Sequence, residues 1–558
     1  MRIEAEASCD VLVVGGGIAG TQAAVAAAKE GARVTLACAG PTFSGSSFAG
    51  STWGVGLVGP DGADDVDDLA RAIRELGQGM ADPVLARALA AGIPDAVERL
   101  ESQGVALRRP ADAGEREYVP CFDSHRRLWR GLERAPYREA VGRELARLGV
   151  GLLPHCELVE LVEEGQRRVD LDAMAPEATD TTPGAGASIA GALLFDARDG
   201  RAFCVHAPSV VLATGGCAGL FAGSLAGAGT DGTGHALALR HGAILTNLEF
   251  LQVMPTIVSP VRGVVFNEKS FRWARVDELE RRSPDDWGRL LELRAGHGPT
   301  SARVGDHDVD LALASPQGAG LRYEGLPDPL PEFVESFFSW LEGRGVARGD
   351  ELRVGLAAQA SNGGILIGTD AGVVGMPGLF ACGECAGGMH GADRIGGLAS
   401  ASCLVFGQAA GAGAARRALG SERVAAAGAG EALELRSSSS PLAPKAAREL
   451  RQVMAEGCLF PRDAHGLGHV LHALGGLRGE LAVTSTASVD ARRMAQTAQV
   501  RAELLCAEVM ARMMLERAES RGSHFRADFP EERDELGSPL RAQLGQGRLE
   551  LRLAGGSS

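Results

Sequence analysis

The chain has 558 residues, of which 45% are hydrophobic and 23% are charged, a composition typical of a folded, soluble, multi-domain protein. Its formal net charge of −15 at pH 7 excludes the overall basic surface that binds nucleic acid or an anionic membrane. The eleven cysteines are scattered and odd in number, and they predict reduced thiols in a cytoplasmic protein. The sequence contains no uncharged run of about 18 apolar residues, so no membrane span is predicted.

The N-terminal segment predicts a βαβ unit. Residues 11–14 form a short apolar run rich in β-branched side chains, and residues 18–30 form an Ala-rich stretch without a helix breaker. Residues 33–36 follow as a second strand-like segment. This order predicts a strand, a helix and a parallel strand, and therefore a parallel sheet at the centre of the protein.

A G-x-G-x-x-G motif, Gly15-Gly16-Gly17-Ile18-Ala19-Gly20, connects the first strand to the helix. Gly15 permits the turn, Gly17 lets a pyrophosphate approach the backbone, and Gly20 lets the helix pack closely on the strand. The helix N-terminus adds free N–H donors for phosphate. We therefore predict a dinucleotide site here. The acidic residue that would bind the ribose of NAD is absent after the second strand, where Cys38 lies.

The rest of the chain divides by its turn signals. The stretch 69–148 predicts helices with breaks at Gly77, Pro94 and 104–110. Residues 174–188 predict a loop, Asp199-Gly200 predicts a hairpin, and residues 209–212 predict a strand. Residues 255–350 contain three of the tryptophans and predict an inserted domain. Ser437–Ser440 predicts a linker, and residues 442–520 predict helices.

Several segments, in order along nearly the whole chain, resemble the flavoprotein family of succinate dehydrogenase, fumarate reductase and L-aspartate oxidase. Besides the glycine motif they are Gly45-Ser46-Ser47-Phe48, Ala213-Thr214-Gly215-Gly216, Thr230-Asp231-Gly232, Asn247-Leu248-Glu249-Phe250, Gly363-Gly364-Ile365, Gly378 to Glu384, His390 to Gly396 and Glu519 to His524. In motif detail L-aspartate oxidase is the most similar, because Ser124-His125-Arg126-Arg127-Leu128 resembles its S-H-R-R segment.

The resemblance implies FAD as the cofactor. The residues that it places against FAD are Gly15, Gly17, Gly20, Cys38, Ser46, Ser47, Thr214, Gly215, Asp231 and Glu384. Family members with covalent flavin attach it through a histidine, and this position is Ser46 here, which implies non-covalent FAD.

The residues implied for substrate binding are only partly present. Arg394 and His390 match the family's H-G-A-N-R segment, in which the arginine binds a substrate carboxylate. Arg303 lies near the position of the family's proton-transferring arginine, so the resemblance implies a catalytic role. The alternative interpretation is that Arg303 is a solvated surface side chain. The resemblance implies a small carboxylate substrate, but Met254 and Gln359 replace histidines of the family's dicarboxylate pocket. Succinate and L-aspartate are therefore predicted to be poor substrates.

Two other patterns have ordinary structural interpretations. Cys382-Gly383-Glu384-Cys385 is a C-x-x-C sequence, but it falls in a family segment that needs no cysteines, which favours packing over redox chemistry. His235 and His241 lack metal-ligand companions. They are expected on a surface or a helix face, and no metal site is predicted.

The predicted fold is α/β, with a Rossmann-like FAD-binding domain in two segments (1–252 and 353–425), an inserted α+β capping domain (253–352) and a C-terminal helical domain (442–558). The predicted function is hydride transfer between flavin and a small carboxylate substrate. Two alternatives stay open: a flavoprotein subunit with an iron-sulfur redox partner protein, and a non-catalytic flavin-binding protein. No nucleic acid partner is expected.

Overall fold

The computed structural model describes residues 2–3, 5–52, 54–112, 118–173, 188–420, 433–487, 490–545 and 547–555. The loop predicted at 174–188 lies outside the described residues, except for Ser188.

A five-stranded parallel sheet forms the centre of the protein. Its strands are, in spatial order, Leu379–Ala381, Ser209–Leu212, Val11–Val14, Val34–Cys38 and Gly151–Pro154. The two central strands are buried at every position, as their continuous apolar sequences predict. The helix Ile18–Lys29 completes the predicted βαβ unit. The sheet combines both predicted chain segments of the FAD-binding domain, so the Rossmann-like α/β fold is confirmed.

Two helices pack against each other beside this sheet. Leu398–Gly420 meets Ile18–Lys29 through glycines: a Cβ atom on Gly407 would lie 2.7 Å from the Ala19 carbonyl oxygen, and one on Gly411 would lie 2.1 Å from that of Ala23. Among the described helices, Leu398–Gly420 alone is long and apolar enough to cross a membrane, and 67% of its most apolar window is buried inside the protein. This packing is that of a core helix.

The remaining strands of the FAD-binding region form smaller sheets. A mixed sheet contains the hairpin predicted at Asp199-Gly200, and a three-stranded sheet lies beside the helices Pro83–Ser102 and Leu398–Gly420. The helices Asp65–Leu76 and Arg134–Arg147 belong to the same region of the chain. The mixed sheet has the order Ala5–Ser8, Arg201–His206, Ile189–Asp196, Cys156–Glu163, and the three-stranded sheet has the order Gly56–Gly59, Leu128–Leu132, Leu107–Arg108. Short strands Arg2–Ile3, Leu433–Arg436 and Arg168–Asp170 form a further sheet.

The helix break predicted at Pro94 is wrong. Pro94 lies inside the helix Pro83–Ser102, and buried residues continue on both sides of it, from Ala90 and Ile93 to Val97. A proline inside a helix removes one backbone hydrogen bond. Here the apolar face continues into the core beyond the proline, and we attribute the uninterrupted helix to this packing.

Residues 253–352 contain a hydrophobic core of their own. Its buried side chains run from Ile257 to Val354 and include Phe266, Phe271 and Phe337. The sheet of this region has the order Val264–Val265, Leu251–Ser259, Leu352–Ser361, Ala319–Tyr323, Ala274–Val276. Its helices are Asp277–Arg282, Trp287–Arg294, His307–Leu313 and Glu332–Glu342. The mixture of helix and sheet agrees with the inserted α+β domain, whose boundaries stay a prediction.

The C-terminal region is helical, as predicted, up to residue 516. Its helices are Ala443–Gly457, Ala464–Thr484 and Ala491–Glu516. The predicted linker is wrong in part, because Ser438–Ser439 pairs with Thr486–Ala487 as a short antiparallel sheet. Hydrogen bonds to a side chain also hold this segment in place, because the Ser438 amide and hydroxyl both donate to the Asp172 carboxylate.

The last part of the chain is a β-hairpin that the sequence analysis missed. Leu540–Gly545 pairs with Arg548–Leu553, and the hairpin extends a sheet through Leu245–Thr246. Gly364–Leu366 and Ala386–Gly387 complete that sheet. The residues after the helices thus join the sheet beside the candidate site.

Candidate active site

The glycine motif forms a tight turn at the carboxyl end of the strand Val11–Val14. Gly15 has a φ of +120°, which disfavours any side chain, and a Cβ atom there would lie 2.1 Å from the Ala213 carbonyl oxygen. A Cβ atom on Gly20 would lie 1.9 Å from the Gly15 carbonyl oxygen, so Gly20 allows helix and strand to touch. A Cβ atom on Gly17 would meet only ordinary contacts, 3.4 Å from the Ser47 hydroxyl.

A cavity of about 390 Å³ opens at the carboxyl ends of the parallel strands, and we call it the Gly-rich cavity. It is lined by the segments that follow all five strands: Gly15–Gly17, Ala39–Pro41, Ala213–Gly215, Cys382–Glu384 and Cys156–Val159. This edge of an open α/β sheet is where nucleotide ligands bind. The first residues of the helix Ile18–Lys29 also line it, so a helix N-terminus, which favours phosphate, lies at the cavity.

Most residues predicted to bind the cofactor line this cavity: Gly15, Gly17, Ser46, Ser47, Thr214, Gly215, Asp231 and Glu384. The Ser46 hydroxyl accepts from the Gly227 amide at 2.9 Å, and the Ser47 hydroxyl accepts from the Ile18 amide at 3.3 Å. Asp231 accepts from the Thr233 hydroxyl and from the Gln499 side chain of a C-terminal helix.

Cys38 and Gly20 are placed differently. Cys38 is buried beneath the turn, where a Cβ atom on Gly16 would lie 2.6 Å from its sulfur. Neither residue is among those that line the Gly-rich cavity. Both residues pack against the glycine turn, Cys38 at Gly16 and Gly20 at Gly15. A direct contact of Cys38 with a cofactor stays a prediction.

Glu384 lies where the Gly-rich cavity meets a second cavity. One of its carboxylate oxygens accepts from the Ser361 amide at 2.9 Å. Burial raises the pKa of this carboxyl group. Both cavities are also lined by Ser46 and Ser47, so a long ligand in the first cavity would reach the second.

The second cavity has a volume of about 290 Å³, and we call it the Arg394 cavity. Arg394 lines it and donates a hydrogen bond to the Gln252 side chain. Burial lowers the pKa of this guanidinium, and the nearby Glu384 opposes the shift. A guanidinium stays charged under all ordinary conditions, so the cavity offers a planar pair of donors for a carboxylate.

His390 lines the same cavity as Arg394, as the sequence predicts. Burial and the neighbouring Arg394 charge lower the pKa of His390 well below its usual value, so its imidazole is neutral at neutral pH. Its Nδ1 atom has no hydrogen-bond partner among the described residues. The ring is thus available to a ligand as an uncharged polar group.

Arg303 is not brought together with these two residues. Its side chain is exposed, and it is not among the residues that line the Arg394 cavity. Its backbone amide donates to the Ser301 hydroxyl. A role for Arg303 in proton transfer stays a prediction, and in this structure the residue lies outside the site.

A thiol and carboxylate pair that was not predicted from the sequence lies inside the Arg394 cavity. The Cys121 thiol donates to the Glu268 carboxylate, with 2.9 Å between sulfur and oxygen. Burial, reinforced by the Glu268 charge, raises the pKa of Cys121 to about 12. The two residues lie 147 positions apart and share no motif, so only the packing of the capping region on the central domain reveals them.

The C-terminal segment supports the loop that carries His390 and Arg394. The Ser523 hydroxyl and amide both donate to the Ala392 carbonyl oxygen, at 2.8 and 3.2 Å. Behind them, the buried Arg517 bridges Glu249 and Glu519. The two family-like segments Asn247 to Phe250 and Glu519 to His524 therefore meet, and their shared function here is to position the loop.

Asp393, next to Arg394, is fully buried and accepts from the Ser301 hydroxyl at 2.7 Å. Burial raises its pKa from 3.8 to about 8. Because this carboxyl binds its proton more tightly in the native state, stability falls as the pH rises from about 4 to about 8. We predict that Asp393→Asn raises the melting temperature by several degrees at pH 9 and leaves it nearly unchanged at pH 4.

The matched control for this prediction is Asp285→Asn, because Asp285 is exposed. Calorimetry across the pH range should show wild-type behaviour for that variant. Parallel pH profiles for wild type and Asp393→Asn would contradict the assignment of a raised pKa to Asp393.

The other residues considered in the sequence are the two cysteines of the C-x-x-C segment and two histidines. Cys382 and Cys385 are fully buried, and the Cys385 sulfur lies 3.3 Å from the Thr214 hydroxyl. His235 lies on the helix Thr233–Arg240, which is one of its two expected positions, and its ring is buried beside the Cys217 sulfur. The His241 side chain is buried between Glu160 and Glu163 at the end of that helix. The other expected position, a solvent-exposed surface, is wrong for both side chains. In the described part of the chain, no three His, Cys, Asp or Glu side chains group as metal ligands.

Comparisons with known proteins give concordant results. The family profile described as FAD binding domain matches residues 10–399, and the one described as fumarate reductase flavoprotein C-term matches residues 447–538. L-aspartate oxidase from Halobacterium salinarum is 30% identical, over 93% of this chain and 96% of that protein. A fumarate reductase (CoM/CoB) subunit from Methanothermobacter marburgensis is 28% identical, over 94% and 95%. Among solved structures, Mycobacterium smegmatis Sdh1 superimposes with a TM-score of 0.75 at 24% identity, covering 98% of this chain and 94% of that one.

Proposed function

The chain belongs to the FAD-binding flavoprotein family that includes fumarate reductases and L-aspartate oxidases, and on this basis we propose that it oxidises or reduces a small carboxylate substrate held by Arg394. It is an FAD-dependent oxidoreductase of the fumarate reductase and aspartate oxidase type. The observation that carries the proposal is the position of Arg394 in a cavity that adjoins the Gly-rich cavity at Glu384.

The residues present fit FAD. The glycine turn leaves space for a pyrophosphate at Gly17, where an added Cβ atom would have only Ser47 and Ser44 of the cavity lining within 4 Å. Glu384 supplies a half-buried acceptor at the junction of the two cavities, suited to hydroxyl groups of the cofactor. The Gly-rich cavity would therefore hold the nucleotide part of FAD. Bound FAD supplies the redox chemistry, since flavin accepts or donates a hydride.

The chain's own groups bind the substrate and exclude water. The Arg394 guanidinium orients the substrate by two parallel hydrogen bonds to its carboxylate. Met254, Glu268 and Pro299 of the capping region line the cavity and would shield a bound substrate from solvent on that side. The hydrogen bond between Cys121 and Glu268 connects two groups with exchangeable protons beside the bound substrate.

The proposed function is tested by two anaerobic half-reactions of the holoenzyme. Photoreduced enzyme is mixed with α,β-unsaturated carboxylates, and oxidised enzyme is mixed with saturated carboxylates and amino acids. We expect at least one compound to reoxidise or bleach the flavin at a rate that saturates with its concentration. If carboxylates bind but change the flavin redox state in neither direction, the alternative of a non-catalytic flavin-binding protein replaces the proposal.

We predict that the FAD is non-covalent, because Ser46 provides no imidazole for a flavin bond and its hydroxyl already accepts from the Gly227 amide. Acid precipitation of the holoenzyme should leave a colourless pellet and a yellow supernatant. Flavin absorbance that stays with the denatured polypeptide would contradict this prediction.

We propose in addition that electrons pass between the flavin and a redox partner protein. The support is the relative from Methanothermobacter marburgensis, which is named as one subunit of a fumarate reductase. An affinity-tagged chain, isolated from the cells that naturally produce it, should retain a stoichiometric iron-sulfur protein. Rapid turnover of the isolated holoenzyme with dioxygen as sole acceptor would contradict the need for such a partner.

A further inference from the structure

We infer that the substrate carries a single carboxylate and that its opposite end is uncharged and apolar. This inference rests on the proposed function, because it takes Arg394 as the anchor of the carboxylate. It adds the substrate class, which the family membership does not specify.

The charges of the Arg394 cavity favour a monoanion. Among its described lining residues, Arg394 is the only lysine or arginine, and the neutral His390 adds no positive charge. Glu268 and Glu384 also line the cavity. Lys269, the residue after Glu268, directs its ammonium group to the Val119 carbonyl oxygen and does not line the cavity. A second substrate carboxylate would thus find carboxyl groups and no free cation.

The strand Leu251–Ser259 shows where the far end of the substrate would lie. Gln252, which accepts from Arg394, and Met254 both line the cavity and are two residues apart on this strand. The register shift beside Gln252 leaves its extra residue, Gln359, on the partner strand. Residues two apart on a continuous strand point to the same face, roughly 6.5 Å apart. A four-carbon dicarboxylate held by Arg394 would therefore place its second carboxylate against the Met254 thioether, which donates no hydrogen bond.

The apolar surface around Met254 is built into the packing. Met254 and Leu225 line the cavity and form a buried cluster with Val265 and Ala357. Met254 is only 6% exposed, and its terminal methyl would lie 2.9 Å from a Cβ atom on Gly298. The methionine is therefore held in place, and each substrate methylene that it covers should raise affinity by up to about four-fold.

The test is a titration of the oxidised holoenzyme, followed by flavin absorbance, with crotonate, trans-2-pentenoate, trans-2-hexenoate and fumarate. We expect crotonate to bind at least ten-fold more tightly than fumarate, and affinity to rise with chain length until the cavity is full. Fumarate that binds more tightly than crotonate would overturn the inference while supporting a carboxylate site. A flavin spectrum that no carboxylate changes would instead contradict the proposed function itself.

The Met254→Lys variant provides the converse test, because lysine keeps the unbranched shape and adds a cation. It should tighten fumarate binding relative to crotonate by at least ten-fold. The matched control Met254→Leu keeps the apolar end and should preserve the wild-type order. Unchanged ligand preference in a folded, FAD-loaded Met254→Lys variant would overturn the placement of the far end at Met254. If that variant loses FAD, the inference is decided by the wild-type titrations alone, through the relative affinities of fumarate, crotonate and the longer monocarboxylates.

Discussion

Gly20→Ala is expected to reduce FAD content at least ten-fold. The new Cβ atom would lie 1.9 Å from the Gly15 carbonyl oxygen and 3.1 Å from the Ala213 side chain, and both neighbours belong to the turn and the strand ends that line the Gly-rich cavity. Backbone cannot yield as a flexible side chain can, so helix and strand must separate, at a cost of about 1–3 kcal/mol or more. The turn that receives the pyrophosphate would be displaced.

Gly17→Ala is the matched comparison. Its Cβ atom would meet the Ser47 hydroxyl at an ordinary 3.4 Å, so the variant should fold with wild-type stability. The methyl group would occupy space at the pyrophosphate position, and the FAD dissociation constant should rise by about ten-fold, which equals about 1.4 kcal/mol. Flavin fluorescence and calorimetry of both variants provide the measurements. A Gly20→Ala variant with full FAD content would contradict the packing argument.

Arg394→Ala is expected to weaken carboxylate binding by at least about 100-fold, because it removes two charge-assisted hydrogen bonds worth about 1.5–3 kcal/mol each. Arg394→Lys keeps the charge but loses the planar pair of donors, so it should fall between wild type and Arg394→Ala. The measurement is flavin absorbance titrated with crotonate in the three proteins.

FAD content serves as the control in this series. Arg394 donates to Gln252 rather than to a residue of the glycine turn, so both variants should retain FAD. Loss of FAD from Arg394→Ala would show a structural role for the arginine. Unchanged carboxylate affinity would place the anion elsewhere.

The cofactor site could be predicted from the sequence because its determinants are local. The glycine turn needs only a strand, three glycines and a helix in succession, and the structure forms it as the spacing predicts. Strand ends that are distant in sequence, such as Thr214 and Glu384, reach the same cavity because parallel strands end at the same edge.

Arg394 and His390 of the substrate site also belong to one local segment, but the rest of that site depends on contacts that no local pattern encodes. Cys121 and Glu268 meet only through the packing of the capping region, and Arg303 is turned outward on the same region. The C-terminal hairpin was missed for a different reason. Residues 540–553 do alternate apolar and polar side chains around a Gly-containing turn, but the preceding helices suggested that the whole region was helical.

The central claim is that a carboxylate bound by Arg394 lies next to FAD. A crystal structure of the holoenzyme with crotonate would test it most directly. The account predicts both carboxylate oxygens within hydrogen-bond distance of the Arg394 guanidinium, the hydrocarbon end against Met254, and FAD extending from the Gly-rich cavity past Glu384. A crotonate bound elsewhere, with Arg394 still donating only to Gln252, would contradict it.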